Sequence, residues 1–558
     1  MANPDSAPSP HADPAVDFDE SEAASPLGVP LFRNVWIATL ISNFGSVIQN
    51  VGAAWLMASM VDSPTLIALV PASAALPITL LALPAGAIAD GYDRRKLILG
   101  AQSFMLLVSL ALTIATWLGH AGPWVLLAMT FLIGCGAAIN NPAWQASVGD
   151  IVPRRLLSGA VGLNAMSFNL ARSAGPGLGG AIVGIAGAAA AFFINAVSYI
   201  AVIVAIARWK RPPRTDPLPR ERLAAAMGDG VRFVWLSPHI RLVLGRAMLF
   251  GLGAAAIPAL MPILARDRFA GGPLTYGLLL GAFGLGAVGG AIAGTRLRSR
   301  LPVENVLRLA GSLAAIGAAV TAFSPWLALT LPALAAAGTG WVMSLSSFNV
   351  SAQLGAPRWV VARALSLYQM CAFAGLTVGS WLFGQVAAGW STATALAAAS
   401  AVLAVGLVVG WRFPVPAIAP GAAIPLRMWN QPVIGTPIDD RAGPITIMVE
   451  YRIRAEDEAA FLLAMAERRR IRRRDGAHKW RVLQGLEDPE IWYERYQVAT
   501  WFDYVRHNQR RTQADAENTE VIRSLHAADE PPRILRLVER QPVAGTTPDA
   551  RMLASGTI

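Results

Sequence analysis

Charge is scarce in this chain. Of its 558 residues only 15% are Asp, Glu, Lys or Arg, against about a quarter in soluble globular domains, so most of the polypeptide is expected to face something other than water. Cysteine is scarcer still. Cys135 and Cys371 are the two present, both in apolar stretches, which leaves neither a disulfide framework nor a four-ligand zinc site. No Gly-x4-Gly-Lys-Ser/Thr loop occurs, so ATP is not the expected energy source. No carboxylate stands in the middle of a long apolar run, and no paired-carboxylate, metal-spaced or nucleophile-base pattern is present. The chain is therefore not expected to be an enzyme, and no cofactor or metal is expected. A hydrophobic content of 54% and glycines without a three-residue period exclude disorder, coiled coil and collagen as whole-chain readings.

Hydrophobic runs are what the chain has in quantity, with a mean hydropathy of +0.47. Residues 1–30 precede them, with six acidic residues and no Lys or Arg. They are expected to form a disordered tail rather than a signal peptide. Twelve apolar runs follow, from 34–60 to 392–411, each of roughly 20 residues or more and so long enough as a helix to cross a hydrocarbon core. The fifth and sixth are read as 157–184 and 188–207.

The net charge of +11 would suggest nucleic acid if it were clustered on one face, but the cations lie between apolar runs. Arg94, Arg95 and Lys96 follow the second run, Arg154 and Arg155 the fourth, and a longer basic series from Arg208 to Arg232 the sixth. Alternate loops are almost free of charge, apart from Asp62 and the trio Arg266, Asp267 and Arg268. The positive-inside rule then places both termini in the cytoplasm, in agreement with an even number of crossings. No nucleic-acid partner is expected; the expected partners are the bilayer and a small molecule.

The membrane part repeats itself. Gly86-Ala-Ile-Ala-Asp90 recurs as Gly290-Ala-Ile-Ala-Gly294, and Asn141-Pro-Ala-Trp-Gln145 as Asn349-Val-Ser-Ala-Gln353. Two six-helix halves, 31–207 and 241–411, joined by a basic linker at 208–240, are the expected arrangement, with a substrate site between them. Composition changes after Pro414. Beyond a second linker at 412–443, residues 444–542 read as strand, helix, two strands, helical region and strand, the split βαβ order of a cytoplasmic α+β ferredoxin-like domain. A tail at 543–558 follows. The fold class is thus an all-α membrane protein of twelve transmembrane helices with a C-terminal ferredoxin-like domain.

Several motifs bear on function. Gly86, Asp90, Asp93, Arg94, Arg95 and Lys96 set small residues, carboxylates and cations in one tight turn, a latch able to open and close. Arg172 is the strong charge placed inside a run, and an isolated arginine there should face the bundle interior or a cavity. Gly175, Pro176, Gly179 and Gly180 give close and bendable helix packing. Polar residues within runs supply cavity candidates: Asn43, Ser46, Gln49 and Asn50 in the first, and Asn140, Asn141 and Gln145 in the fourth. Asn164 and Asn169 lie in the fifth, and Asn349, Gln353 and Gln369 in the tenth and eleventh. Such groups must be satisfied by protein or water. Trp55, Trp144, Trp341, Met343 and Phe373 would line the cavity with apolar surface suited to amphiphilic molecules. In the C-terminal domain, the run Arg468–Arg474 reads as a solvated face or one turned to anionic lipid, and the aromatics Trp480, Trp492 and Trp501 read as core.

The segment from Gly86 to Lys96 resembles the loop signature of the major facilitator superfamily, departing from it at Gly91 and Asp93. Asn34–Pro64, Asn141–Ala146, Ala160–Gly180 and the stretch His507–Asp515 resemble the transmembrane secretion effector family, which includes the bacterial enterobactin exporter, and the likeness covers about 31–530. This resemblance implies that the loop controls conformational exchange. It also implies that the Gly-Pro element marks an exporter of drug or siderophore type. The expected function is export of small amphiphilic organic molecules across the cytoplasmic membrane by alternating access, with proton-driven antiport as the expected coupling. An importer of the same fold is the alternative. The C-terminal domain resembles dimeric antibiotic-biosynthesis monooxygenases, which implies self-association, or else a transporter fused to a modifying or sensing domain.

Overall fold

The computed structural model describes residues 25–153, 156–209, 223–357, 360–416, 432, 435, 438–439, 442–509 and 513–539. The expected N-terminal tail as far as residue 24, Arg154 and Arg155, most of the two linkers and the tail from 543 lie outside these residues. The chain divides into two compact units. One comprises Met1–Val231, Pro238–Leu354 and Val361–Ile418, the other Arg232–Ser237, Gly355–Val360 and Ala419–Ile558.

The first unit is helical. Its first group is α1 (Pro30–Met60), α2 (Pro64–Gly91), α3 (Arg94–Trp117), α4 (Pro123–Ile151) and α5 (Leu157–Ala207). After α6 (Leu223–Trp235) come α7 (Pro238–Ala254), α8 (Ala256–Ile263), α9 (Pro273–Arg298), α10 (Val303–Phe323), α11 (Leu327–Leu354), α12 (Val361–Gly389) and α13 (Thr392–Arg412). Local sequence explains the starts. Pro30, Pro64, Pro123 and Pro273 occupy first-turn positions where a missing N–H costs nothing. Asp93 and Ser391 cap α3 and α13 by accepting from the amides of Arg95 and Thr394.

Eleven helices among the described residues are long and apolar enough to cross a membrane. One of them, α5, runs 51 residues, about 77 Å at 1.5 Å per residue and more than twice a hydrocarbon core. Gly187, with φ 79° and ψ 171°, breaks it into two arms. That backbone conformation belongs to glycine, and it falls in the gap between the expected runs 157–184 and 188–207.

Within the first group α1 packs on α5, α2 on α4, and α3 on both α4 and α5. Within the second, α11 packs on α9 and α10, α10 on α13, and α7 on α12. The two groups meet where α2 lies on α12 and α5 on α9.

The second unit carries β1 (Ile445–Arg452), α14 (Glu458–Arg474), β2 (His478–Gln484), β3 (Ile491–Val498), α15 (Trp501–Gln509), α16 (Gln513–Ser524) and β4 (Arg533–Val538). The strands form one antiparallel sheet in the order β2-β3-β1-β4, with Ile447 opposite both Tyr496 and Arg536. Strict alternation along β1 buries Ile445, Ile447, Val449 and Tyr451 on one face. Phe461 and Met465 of α14, with Trp492, Tyr496, Val498, Trp501 and Tyr504, complete that core.

Three of the six arginines in the run depart from expectation, while Arg469 and Arg473 are exposed as expected. Arg468, Arg472 and Arg474 are only 6%, 6% and 8% exposed, so they are neither a solvated face nor one turned to lipid. The spacing of 468 and 472 turns both guanidinium groups inward, where the Glu494 carboxylate of β3, wholly buried, accepts from Arg472 at 2.9 Å and from the Trp480 indole at 3.0 Å. Arg474 meets Asp475 at 2.8 Å and Asp515 at 2.7 Å. Burial alone would push the Glu494 carboxyl up. The guanidinium groups of Arg472 and Arg468 and the donated hydrogen bonds outweigh it and hold Glu494 at about 2.

Candidate functional site

The site is built where the two helix groups meet. On α5 and α9 the backbones touch: a Cβ on Gly284 would lie 2.4 Å from the Arg172 carbonyl oxygen, and one on Gly277 would lie 2.8 Å from that of Pro176. Glycine alone permits this approach. The contact carries the Arg172 side chain of the first group onto the Trp341 ring of α11, with the guanidinium carbon 5.9 Å from the ring centroid.

Trp341 is itself 8% exposed and stands at the centre of an aromatic cluster from the second group. Phe283 of α9 meets it edge-on at 5.8 Å and Phe250 of α7 at 6.5 Å, and Phe250 in turn lies 6.4 Å from Phe348. Nearer the other end of the same interface, Trp55 of α1 stacks on Tyr276 of α9 at 6.4 Å. The contact sets a cation beside large apolar rings that are themselves buried, Trp341, Phe250, Phe283 and Phe348 being 8% exposed or less.

Many of the polar candidates are engaged inside the first group. Asn43 donates to Ser167 at 3.1 Å, and Gln102 to Asn140 at 3.3 Å. The Gln49 amide oxygen accepts from Ser109 at 2.7 Å and from Asn195 at 2.6 Å. Ser46 bonds Tyr199. These bonds tie α1 to α3 and α5, and α3 to α4, and they occupy the Gln49 amide oxygen within the first group. Asn164, Asn169, Asn349 and Gln369 are half-buried, the Asn164 carbonyl oxygen having no partner, while Asn50, Asn141, Gln145 and Gln353 have exposed side chains. Gly175 and Gly179 pack on Val47 and Val51 of α1, whereas Gly180 faces α9.

The turn between α2 and α3 holds its own group together. Arg94 pairs with Asp150 of α4 at 3.0 Å, and Arg95 donates to the carbonyls of Ile206 and Ala207 at 3.2 and 2.6 Å, capping the end of α5. Lys96 is exposed, and the Asp90 side chain lies outside the described residues. Gly86 approaches the other group: a Cβ there would lie 3.1 Å from the Ser366 hydroxyl of α12.

Sequence reasoning missed one buried pair. Arg246 of α7 and Glu304 of α10, 7% and 6% exposed, meet at 2.5 and 3.2 Å, and Glu304 also accepts from the Val415 amide at 2.9 Å. The signal was present in Arg246, a lone cation in the apolar stretch Leu242–Phe250. Its partner, 58 residues away, was not legible.

The model of a family described as transmembrane secretion effector matches residues 21–542. A multidrug efflux pump, Tap, of Mycobacterium tuberculosis is 24% identical over 389 residues, 67% of this chain and 91% of the relative. A staphyloferrin A transporter of Staphylococcus aureus is 27% identical over 253 residues, 45% of this chain and 62% of that protein. Among solved structures, a bacterial homolog of the human lysosomal transporter Spinster, in an inward-facing and unoccupied conformation, superposes with a TM-score of 0.54 at 14% identity, over 69% of this chain and 95% of that one. That likeness is one of fold.

Proposed function

The chain belongs to the transmembrane secretion effector family, and from that premise we propose that it exports small amphiphilic organic molecules, of drug or siderophore type, by alternating access and proton-driven antiport. The family and the relatives are transporters, not enzymes, and the chain is a multi-pass membrane transporter. The observation that carries the export site is the placement of Arg172 from one helix group on the Trp341 aromatic cluster of the other. A site shared between two groups is remade whenever they rock against each other.

In this reading the two arms of α5 cross separately, for twelve crossings of the bacterial inner membrane, which is consistent with both termini on one side. The excess of Lys and Arg in alternate loops supports that side, with the α2–α3 turn and the C-terminal unit, being the cytoplasm. In this reading the α2–α3 turn is the conformational switch, and the chain falls in the branch that includes the enterobactin exporter. The C-terminal unit, with its monooxygenase-like strand order, serves self-association.

The test is accumulation of a fluorescent amphiphile by cells producing the protein, with and without a protonophore. Reduced accumulation, restored by the protonophore, is the expected result. Increased accumulation would overturn export in favour of import, and reduced accumulation indifferent to the protonophore would remove the proton from the mechanism.

A further inference from the structure

The electrostatics of the interface narrow the substrate class. Five carboxylate side chains are described in the membrane unit, and each is engaged. Asp62 lies 3.4 Å from Arg266, Asp267 is on the same arginine, Asp93 caps α3, Asp150 pairs with Arg94, and Glu304 with Arg246. None of them stands at Arg172. The Arg172 side chain is half-buried, and its one recorded contact is the face of Trp341. A cation–π contact holds a guanidinium in place but leaves its charge uncompensated.

A second cation on α9 has neutral partners as well. Arg298 donates to the hydroxyls of Ser346 at 2.9 Å and Ser347 at 3.4 Å, about 8 Å of helix rise along α11 from Trp341. The described residues of the α5–α9–α11 interface therefore supply positive charge, hydroxyl groups and aromatic rings, and no negative charge. In a low-dielectric cleft such an imbalance is focused on whatever enters.

We propose that the transported molecule is an anionic amphiphile whose carboxylate, sulfonate or similar group takes the Arg172 guanidinium, while its apolar body lies against the aromatic cluster around Trp341 once the two helix groups part. This deepens the export reading and rests on it. The planar fork of arginine donates two parallel hydrogen bonds to an oxyanion, and the cargo supplies the counter-charge that the described residues at Arg172 do not. A cationic molecule of the same shape meets repulsion at the same point.

Three probes of one shape separate charge from shape: 1-pyrenebutyrate, 1-pyrenebutyltrimethylammonium and 1-pyrenebutanol, titrated by fluorescence against the full-length protein in detergent. A charge-assisted hydrogen bond in a buried setting corresponds to a preference for the butyrate of about tenfold or more. Arg172→Gln is expected to abolish that preference, while an unchanged thermal unfolding midpoint in the same detergent reports an intact fold. Arg172→Lys is expected to keep part of it, since the charge remains while the two-pronged hydrogen bonding is lost.

Equal or tighter binding of the ammonium probe would overturn the proposal, as would an Arg172→Gln variant that weakens all three probes alike. Movement of the same probes in energised everted vesicles keeps the two readings apart. Butyrate bound selectively but not moved into the vesicles leaves the charge assignment standing and sinks export. Ammonium moved while butyrate is not sinks the charge assignment and leaves export standing.

Discussion

Gly180 of α5 and Gly277 of α9 meet backbone to backbone: a Cβ on Gly180 would lie 3.0 Å from the Gly277 Cα and 2.7 Å from the Pro273 carbonyl oxygen. The neighbours are main chain, which cannot swing aside as a side chain does.

Gly180→Val is therefore expected to push α5 off α9 and to lower the transport rate at least about tenfold, at an overpacking cost of about 1–3 kcal/mol. Gly184→Ala, where a Cβ meets nothing within 4 Å, is the control and should transport normally. Initial rates in everted vesicles, normalised to protein in the membrane, check both.

Arg266 joins the two groups at the Met60–Pro64 end. Its Nη1 donates to the carbonyl oxygens of Ala58 at 2.5 Å and Val61 at 3.0 Å, the last turn of α1. This accounts for a cation in a loop that the positive-inside rule would leave bare. Arg266→Gln should loosen that end, and a cysteine at Ala58, a position 1% exposed, should become reactive to a membrane-impermeant maleimide. The measurement is the labelling rate in a background without Cys135 and Cys371. An unchanged rate would mean that the arginine does not hold the end shut.

Removing one member of the Arg246–Glu304 pair strands the other. Glu304→Gln is expected to destabilise the membrane unit by about 3–5 kcal/mol, whereas replacing both residues with apolar ones of similar volume should restore most of the loss. Thermal unfolding in detergent, followed by the exposure of Cys371, reads the difference.

In the C-terminal unit the pH dependence follows from Glu494. Its carboxyl is held at about 2 in the folded state against an ordinary 4.5, so its contribution to stability is complete above about pH 4.5 and is lost as the pH falls towards 2. Glu494→Gln should remove that dependence and leave Arg472 buried without its partner. Hydrogen exchange of residues 445–498 in the full-length protein, from pH 6 down to 3, checks the sign: protection should fall with pH in the parent and stay low throughout in the variant.

Helix positions were legible because membrane spans are set by composition over some twenty residues, and the break at Gly187 fell between two runs already separable in the sequence. The alternation of Ile445, Ile447 and Val449 likewise announced β1. Arg172 could be picked out since a lone charge in an apolar run is rare. Whether Gln49 would face a cavity or Asn195 could not be read, because the answer depends on the rotation of α1 against α3 and α5. The arginine run of α14 misled in part for a related reason: composition alone makes six cations near a helix end look solvated, while Glu494, twenty-two residues after Arg472, draws Arg468 and Arg472 inward and leaves Arg469 and Arg473 exposed.

The sequence by itself determined the membrane class, most run boundaries and the succession of strands and helices along the last domain, which follow from local composition and periodicity, while the family likeness rested on the resemblance of particular motifs. Only the tertiary structure decided which charges are paired. Placing Arg172 on Trp341, Arg246 on Glu304 and Arg266 on the end of α1 requires helices distant in the chain to pack in one particular rotation, and electrostatic pairing acts over a few ångströms that no one-dimensional pattern specifies.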